Sequence, residues 1–600
     1  MTDKTASILL PAVRTPAQYI GGEINQTRKP YTPGDTTVAL AFPDTYAIGM
    51  SHLGLSILYT ILNQMSHVHA ERVYCPWLDA AQIMRRENIP LFSWESRRPV
   101  RDFDILGITL QHELSYSNIL YLLDLAGITF RAEDRHEEEP LVIAGGPVAD
   151  YCEPVADFFD LVILGDGEES LPAVIDSYRQ LRRQKPTRRE LLLELARRFP
   201  FVYVPGLYHC QHHPDGTIAS FEPTETDIPT CVQRAQVDDL DLAVFPTAPV
   251  VAHTETPHDR IAIEIMRGCP QRCAFCHAGH SRGKVRCRSI EKILDIAQQS
   301  YHNTGHDTIS LLSLSSSDYP HLSELTQKLY RQFEGCHVGI SLPSLRVDSQ
   351  LRDIPSQITT VRREGLTLAV EVARDKIRSA IGKKITDHDL LATMRTAYEA
   401  GWRKVKLYFM VGFPGETDDD IMGILDLVAR IAQLRREISG APATVHVAVS
   451  WLVPKPHTPF GWIAQQSLDY FRDAKKMLFQ AGKDLRGVPL KLKFHHMERS
   501  LLEGALARGD RRLSYVLEAA YQAGAHFDSW DECFDYHRYL EAFRQCNLDP
   551  DFYTHRSRDK KEILPWDHLA GNNRSAVFDR LQRILTILNE EQMEQSEKQT

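Results

Sequence analysis

The stretch Arg267-Gly268-Cys269-Pro270-Gln271-Arg272-Cys273-Ala274-Phe275-Cys276-His277 sets three cysteines in a C-x3-C-x2-C spacing, directly after the apolar run 261–265. Three thiolates within eight residues can turn around one inorganic cluster, and thiolate is the ligand that iron–sulfur clusters use. Three ligands for four irons leave one iron open, as a site that binds and activates a small molecule requires. Zinc is the competing metal, with His277 or His280 as a fourth ligand. Structural zinc usually takes paired ligands at two separated positions, however, and no second C-x2-C occurs. Three incidental core cysteines are the remaining reading. The chain has 11 cysteines, too few for a disulfide scaffold of 600 residues, and only these three cluster tightly.

Downstream, the run 261–265 is the first of a series. Further apolar runs lie at 309–314, 338–342, 366–370, 405–411 and 445–451, separated by helical patterns over 289–301, 321–333, 350–363, 387–400 and 418–436. Six strand–helix units in a row predict an incomplete (β/α) barrel, with its chemistry at the C-terminal ends of the strands. Upstream, short apolar runs at 37–42, 104–110, 141–144 and 161–164 alternate with helical patterns over 53–64, 115–126 and 168–182. This alternation predicts parallel strands covered on both faces, in a doubly wound α/β domain of Rossmann or flavodoxin type. Ligands of such sheets sit at the carboxyl ends of the strands. The loops placed there are 43–46, 145–147 and 165–169, whose glycines permit close backbone approach; tight βα turns are the alternative.

The expected organisation is an arm plus doubly wound domain over 1–182, a proline-broken connector over 183–260, the partial barrel over 261–465, and a mainly helical C-terminal domain with a frayed tail over 466–600. A content of 43% apolar and 25% charged residues excludes a disordered, collagen-like or coiled-coil chain. No apolar run is long enough for a membrane helix, and Met1-Thr2-Asp3-Lys4 does not begin a signal peptide, so we expect a cytoplasmic protein with reduced thiols. A net charge of −10 argues against wrapping nucleic acid over the whole surface. The arginine run 182–189 and the basic pieces 491–493, 508–512 and 556–561 read as solvated surface, with RNA phosphate contact by the latter three the less favoured reading.

The cysteine stretch resembles the signature of the radical S-adenosylmethionine (SAM) superfamily, including the aromatic Phe275 before the last cysteine. The resemblance implies a [4Fe–4S] cluster on Cys269, Cys273 and Cys276, with SAM bound at the open iron and cleaved by one electron to a 5′-deoxyadenosyl radical. It further implies SAM contacts at Phe275, at Ser315 and Ser316 after the second strand, at Glu371 after the fourth, and at Gly412 and Gly415 in Phe409-Met410-Val411-Gly412-Phe413-Pro414-Gly415-Glu416-Thr417. A one-electron reductant such as flavodoxin or ferredoxin is the implied partner. The usual Gly-Gly-Glu is absent at 314–318, and Leu368-Ala369-Val370-Glu371-Val372-Ala373-Arg374 replaces a Pro-Glu-Ala-Gly-like segment.

The upstream domain is similar to the cobalamin-binding domain of large bacterial B12-domain radical SAM proteins. The likeness runs through Asp104-Ile105-Leu106-Gly107, Ala144-Gly145-Gly146-Pro147 and Gly165-Asp166-Gly167-Glu168, and resumes at 451–460, 507–512 and 564–568. It implies cobalamin as a third cofactor, held near Asp44, Tyr46, Gly145, Gly146, Gly165 and Gly167; the alternative is a domain kept as a wall of the substrate cleft. No Asp-x-His-x-x-Gly occurs, so His52 reads as a loop or helix-start histidine, not as a cobalt ligand. Arg267 and Lys455 are candidate anion contacts, and His495-His496 a candidate polar patch facing the substrate. The implied function is radical chemistry, by cobalamin-assisted methylation or rearrangement, on a substrate the sequence does not name. A non-catalytic cluster scaffold and an RNA-modifying enzyme are the alternatives.

Overall fold

The computed structural model describes residues 2–342, 366–571 and 573–599. The helix expected over 350–363 lies outside the described residues. The N-terminal sheet is built from β1 (Thr36–Phe42), β2 (Val68–Tyr74), β3 (Ile105–Thr109), β4 (Leu141–Gly145), β5 (Leu161–Ile163) and β6 (Val202–Tyr203), in the order β2-β1-β3-β4-β5-β6. The first five strands run parallel and β6 closes the edge antiparallel. All seven residues of β1 are buried, as expected of a strand covered by helices on both faces. The order 2-1-3-4-5 is flavodoxin-like and reverses between β1 and β3, where such folds open a crevice for a ligand.

The helices between these strands match the sequence pattern. Leu53–Gln64 starts at His52, whose Nδ1 accepts the Leu55 N–H at 3.0 Å. Accepting through Nδ1 places the ring proton on Nε2, so His52 is a helix cap, as its position suggested. Tyr116–Ala126 ends on Gly127 in the left-handed conformation. Two boundaries differ from expectation. β6 and the helix Arg188–Arg198 belong to the first sheet, not to a connector. Arg188 of the basic run also turns inward, to Asp160 and the carbonyl of Pro140. The hairpin β7 (Tyr208–His212) and β8 (Ile218–Pro223) then leads to the barrel.

The barrel strands are β9 (Ile261–Glu264), β12 (Thr308–Leu312) and β13 (Gly339–Ser341) in one parallel sheet, and β14 (Leu366–Glu371), β15 (Lys404–Val411), β16 (Thr444–Trp451) and β17 (Leu490–Phe494) in another. A short antiparallel pair, β10 (Met266–Arg267) with β11 (Arg286–Cys287), forms the stem of the cysteine loop. β17 carries the barrel past residue 465, into the segment expected to be mainly helical. Its Leu-Lys-Leu-Lys-Phe alternates half-buried and exposed positions, the pattern of a lysine-guarded edge strand. The helices Leu513–Gln522 and Tyr536–Gln545 join the same buried apolar cluster as the N-terminal sheet, so residues 466–600 build no separate core. Among the described residues, no helix is long and apolar enough to cross a membrane.

Candidate functional site

Two regions meet where the carboxyl ends of both strand sets face each other. The first is the cysteine loop. Cys269, Cys273 and Cys276 are half-buried thiols between the β10 stem and the one-turn helix Ala278–Ser281. Gly268 has φ +87°, and a Cβ there would stand 2.8 Å from the Lys284 carbonyl oxygen, so only glycine lets the stem turn into the loop. The Ala274 N–H donates to the Ile381 carbonyl and the Phe460 N–H to the Ala274 carbonyl, which pins the loop against the barrel mouth. Cys273 Sγ lies 3.8 Å from the Gly382 carbonyl oxygen. Burial, with Cys269 and Glu371 nearby, pushes the Cys276 thiol up. Among the described residues, no three His, Cys, Asp or Glu side chains converge as a single metal ion requires. A four-iron cluster takes each thiolate on a different iron, so its ligands need not converge on one point as those of a single ion do, and the donor set of three thiols on one loop suits it.

Around the loop stand the other expected contacts. Glu371 takes φ 72° at a register shift between β14 and β15, a strained left-handed backbone for a side-chain-bearing residue. Its carboxylate pairs with Lys383 Nζ at 3.0 Å. Lys383 escaped the sequence reading; its only signal was its place after Ile381-Gly382, beside the motif region but outside every quoted pattern. Phe275 meets Phe413 edge to face at 6.1 Å. Gly412 has φ +112°, and its N–H donates to Glu416 at 2.6 Å; Tyr470 O–H donates to the same oxygen at 3.0 Å. Burial drives the Glu416 carboxyl up to about 7. Gly415 is also left-handed, φ 72°. Ser316 pairs with Ser313 at 3.0 Å, while the buried Ser315 hydroxyl has no partner among the described residues. Gln271 Nε2 donates to both Asp318 oxygens at 3.0 Å, tying the cysteine loop to the end of β12.

The second region is a cavity of about 390 Å³ between the N-terminal sheet and the start of the barrel. Gly145, Gly146, Gly165 and Gly167 line it, and so does Gly268 at the entry to the cysteine loop. Its walls are apolar side chains of β1, β3, β4 and β5 and of the helix Leu53–Gln64. Asp44 and Tyr46 do not line it. Asp44 accepts the Thr45 N–H and the Trp530 indole N–H, and Tyr46 donates to Glu23 and stacks among Tyr74 and Trp94. The N-terminal arm supplies Glu23 and turns this loop into core. His52 does line the cavity, and burial pushes its imidazole down to about 4, so the ring is neutral.

Arg267, expected as an anion contact, is already saturated. It reaches Glu264 at 2.8 Å, Asp166 at 3.1 Å and Glu168 at 2.5 Å, and so clasps β9 to the start of the helix Gly167–Arg182. Lys455 is likewise taken, by Glu113 and by Glu503 at 2.8 Å. Asp150, five residues after Gly145, accepts from His277 at 3.0 Å and pairs with Arg234, and its carbonyl bonds to His457 at 2.8 Å. Burial works against its charge, but His277 and Arg234 hold the carboxyl well below the usual carboxylate range. The basic pieces do not read as ordinary surface throughout: Arg508 and Arg558 are buried, and Arg511 reaches Glu153 at 3.1 Å. Lys491 and Lys493 are exposed. His496 pairs with Glu498 at 3.1 Å, and neither His495 nor His496 lines the cavity.

Residues 263–428 match the radical SAM superfamily model, and residues 54–205 match the model described as radical SAM proteins, N-terminal. The chain is similar to an uncharacterised protein of Methanocaldococcus jannaschii, 26% identical over 80% of this chain and 90% of that one. It is also similar to the ribosomal protein uS12 methylthiotransferase RimO of Trichodesmium erythraeum, 25% identical over 48% of this chain and 66% of that enzyme. Among solved structures, the radical S-adenosylmethionine methyltransferase TsrM of Kitasatospora setae, with cobalamin and a [4Fe–4S] cluster bound, is 15% identical over 71% of this chain and 77% of that one, with a TM-score of 0.49. The chain is an enzyme of the radical SAM class, whose cofactors are a [4Fe–4S] cluster and SAM.

Proposed function

We propose that Cys269, Cys273 and Cys276 hold the cluster and that Glu371 and Lys383 receive the methionine end of SAM. The observation that carries this reading is the Glu371–Lys383 pair at 3.0 Å beside Cys276. SAM brings an ammonium and a carboxylate on one carbon, and an opposed carboxylate–ammonium pair exchanges its own bond for one to each. Gly412 and Gly415, both with left-handed backbone, offer main chain to the nucleoside, and Phe275 and Phe413 wall it. When bound and reduced, the cluster supplies the electron that splits SAM into methionine and a 5′-deoxyadenosyl radical.

The glycine-lined cavity is our proposed cobalamin site. A large planar cofactor needs an apolar slot with backbone at close range, and four of the six expected residues line one. His52 caps a helix through Nδ1, so the cofactor rests on packing and backbone contacts, with no ligand from this histidine. The reaction that follows is methylation or rearrangement; the scattered remaining cysteines offer no second trio for sulfur insertion. Anaerobic reconstitution with iron, sulfide and hydroxocobalamin tests both halves. The expected protein is brown, holds about four irons and one corrinoid per chain, and releases 5′-deoxyadenosine from SAM when reduced. Cys269→Ala, Cys273→Ala and Cys276→Ala each abolish the cluster, whereas the exposed Cys287→Ser and Cys336→Ser leave it. A colourless zinc protein, or an iron-loaded one inert to SAM, overturns the reading.

A further inference from the structure

We propose that a cationic patch on the outer side of the cysteine loop, made of Arg272, Arg580, Arg583 and Lys384, docks an acidic one-electron carrier protein that reduces the cluster. The proposal rests on the cluster reading above. Arg272 lies between two of the cysteines and is exposed. Arg580 and Arg583 stand three apart on the helix Arg574–Gln599 and so share a face. Arg580 comes close to the loop: a Cβ on Gly382 would lie 2.9 Å from its Nη2 and 3.8 Å from the Cys273 Cα. Lys384 follows two residues after Gly382 and is exposed.

Among the described residues none of these four cations has an ion pair or a side-chain hydrogen bond. Arg267, Arg72 and Arg511, by contrast, are each held by carboxylates. Burial pushes the Arg580 guanidinium down; Cys273 works against that shift, and the neighbouring Arg272 and Arg583 add to it, so the arginines and the thiol loop feel each other's charge. Four unneutralised cations around one thiol loop are a marked local departure in a chain of net charge −10. None of them lines the cavity, so this face stays open when the cavity is filled. Electron transfer weakens steeply with distance, and this is a face on which a carrier reaches a cluster thiolate without crossing the cavity. A positive patch around that approach steers an acidic partner and turns away a basic one. In the transfer the reduced carrier loses one electron and the oxidised cluster gains it; no bond forms or breaks.

The test uses the reconstituted full chain and a purified acidic flavodoxin, photoreduced, with dithionite as the small-molecule donor. Arg580→Glu/Arg583→Glu is expected to slow flavodoxin-driven bleaching of the cluster by about tenfold or more at low salt, with dithionite-driven bleaching unchanged. Raising the salt is expected to remove most of the difference between variant and parent. Binding of oxidised flavodoxin, read by titration calorimetry without turnover, is expected to weaken in parallel. Arg583→Glu alone, at an exposed position, and Lys384→Glu are expected to give smaller losses of the same kind. Unchanged flavodoxin kinetics and binding in the double variant and in both single variants overturn the docking assignment. Equal loss with dithionite also overturns it, because the arginines then serve the cluster and not the partner. A parent chain with no reducible cluster overturns the underlying reading instead.

Discussion

The glycine-lined cavity and the cysteine loop stand side by side, yet they are built on opposite principles. In the cavity nearly every charge is neutralised within the protein: Arg267 answers Glu264, Asp166 and Glu168, and His52 is neutral. What remains for a ligand is mostly apolar wall and bare backbone, with Arg282, Thr109, Gln111 and Ser313 as the polar exceptions. Around the cysteine loop the groups face one another with bonds to exchange: thiols, the Glu371–Lys383 pair and the buried Ser315 hydroxyl. The first region suits a large rigid body held by shape, the second a small zwitterion and a cluster held by charge and coordination.

Filling the cavity should separate the two most sharply. A Cβ on Gly145 meets only the Ile163 carbonyl oxygen, at 3.4 Å, whereas one on Gly146 meets the Leu110 oxygen at 2.7 Å, so Gly145 is the position to enlarge. Gly145→Leu is expected to abolish retention of cobalamin on gel filtration while iron content and SAM cleavage persist. Loss of all three would mean that the regions are not independent in their binding.

Arg267→Met should loosen the seam between them. It leaves three carboxylates without their shared cation, and breaking such a buried arrangement costs about 3–5 kcal/mol. Urea unfolding followed by circular dichroism is the measurement; a change under ~1 kcal/mol, the scale of an exposed pair, would show that water already screens the clasp.

On the loop side, Lys383→Met should weaken SAM binding by about 10- to 100-fold, the equivalent of ~1.5–3 kcal/mol for a hydrogen bond to a charged group. Equilibrium dialysis with the cluster intact reads this, and unchanged binding would remove Lys383 from the site. The smallest effect belongs to Glu416, whose folded pKa is raised by burial to about 7. A carboxyl raised in the folded state stabilises fully below its unfolded pKa and loses that contribution as pH climbs through the folded value. Stability should therefore decline between about pH 4.5 and 7, and Glu416→Gln should flatten that slope in thermal melts across pH.

The periodic parts of both strand sets were legible in the sequence because burial on both faces writes itself as continuous apolar runs. The run 37–42 became β1, and the helical pattern 53–64 became Leu53–Gln64. β17 was missed because an edge strand carries lysines on its open side. Asp44 and Tyr46 were misassigned for a different reason. Their loop has the right place after β1, but the arm before it has no readable period, and it is Glu23 of that arm that draws Tyr46 inward. Cys269, Cys273, Cys276 and Gly145 through Gly167 stood out in the sequence because spacing and glycine content are local properties. Lys383 and Asp150 act through partners 12 and 127 residues away, which no local pattern encodes.

Asp150 links the two regions by a route shorter than the domain boundary suggests. Gly145 lines the cavity, Asp150 follows five residues later, and its carboxylate holds the histidine adjacent to Cys276. The same residue's carbonyl is held by His457, beyond β16. The two halves are thus not interchangeable modules. An N-terminal domain grafted from a relative would seat the loop only if it brought a carboxylate to the place of Asp150, and a barrel expressed alone would leave His277 without that partner. Exchange of parts among such proteins has to carry the loop after β4 and the segment after Cys276 together, as one unit of inheritance split across more than a hundred residues of chain.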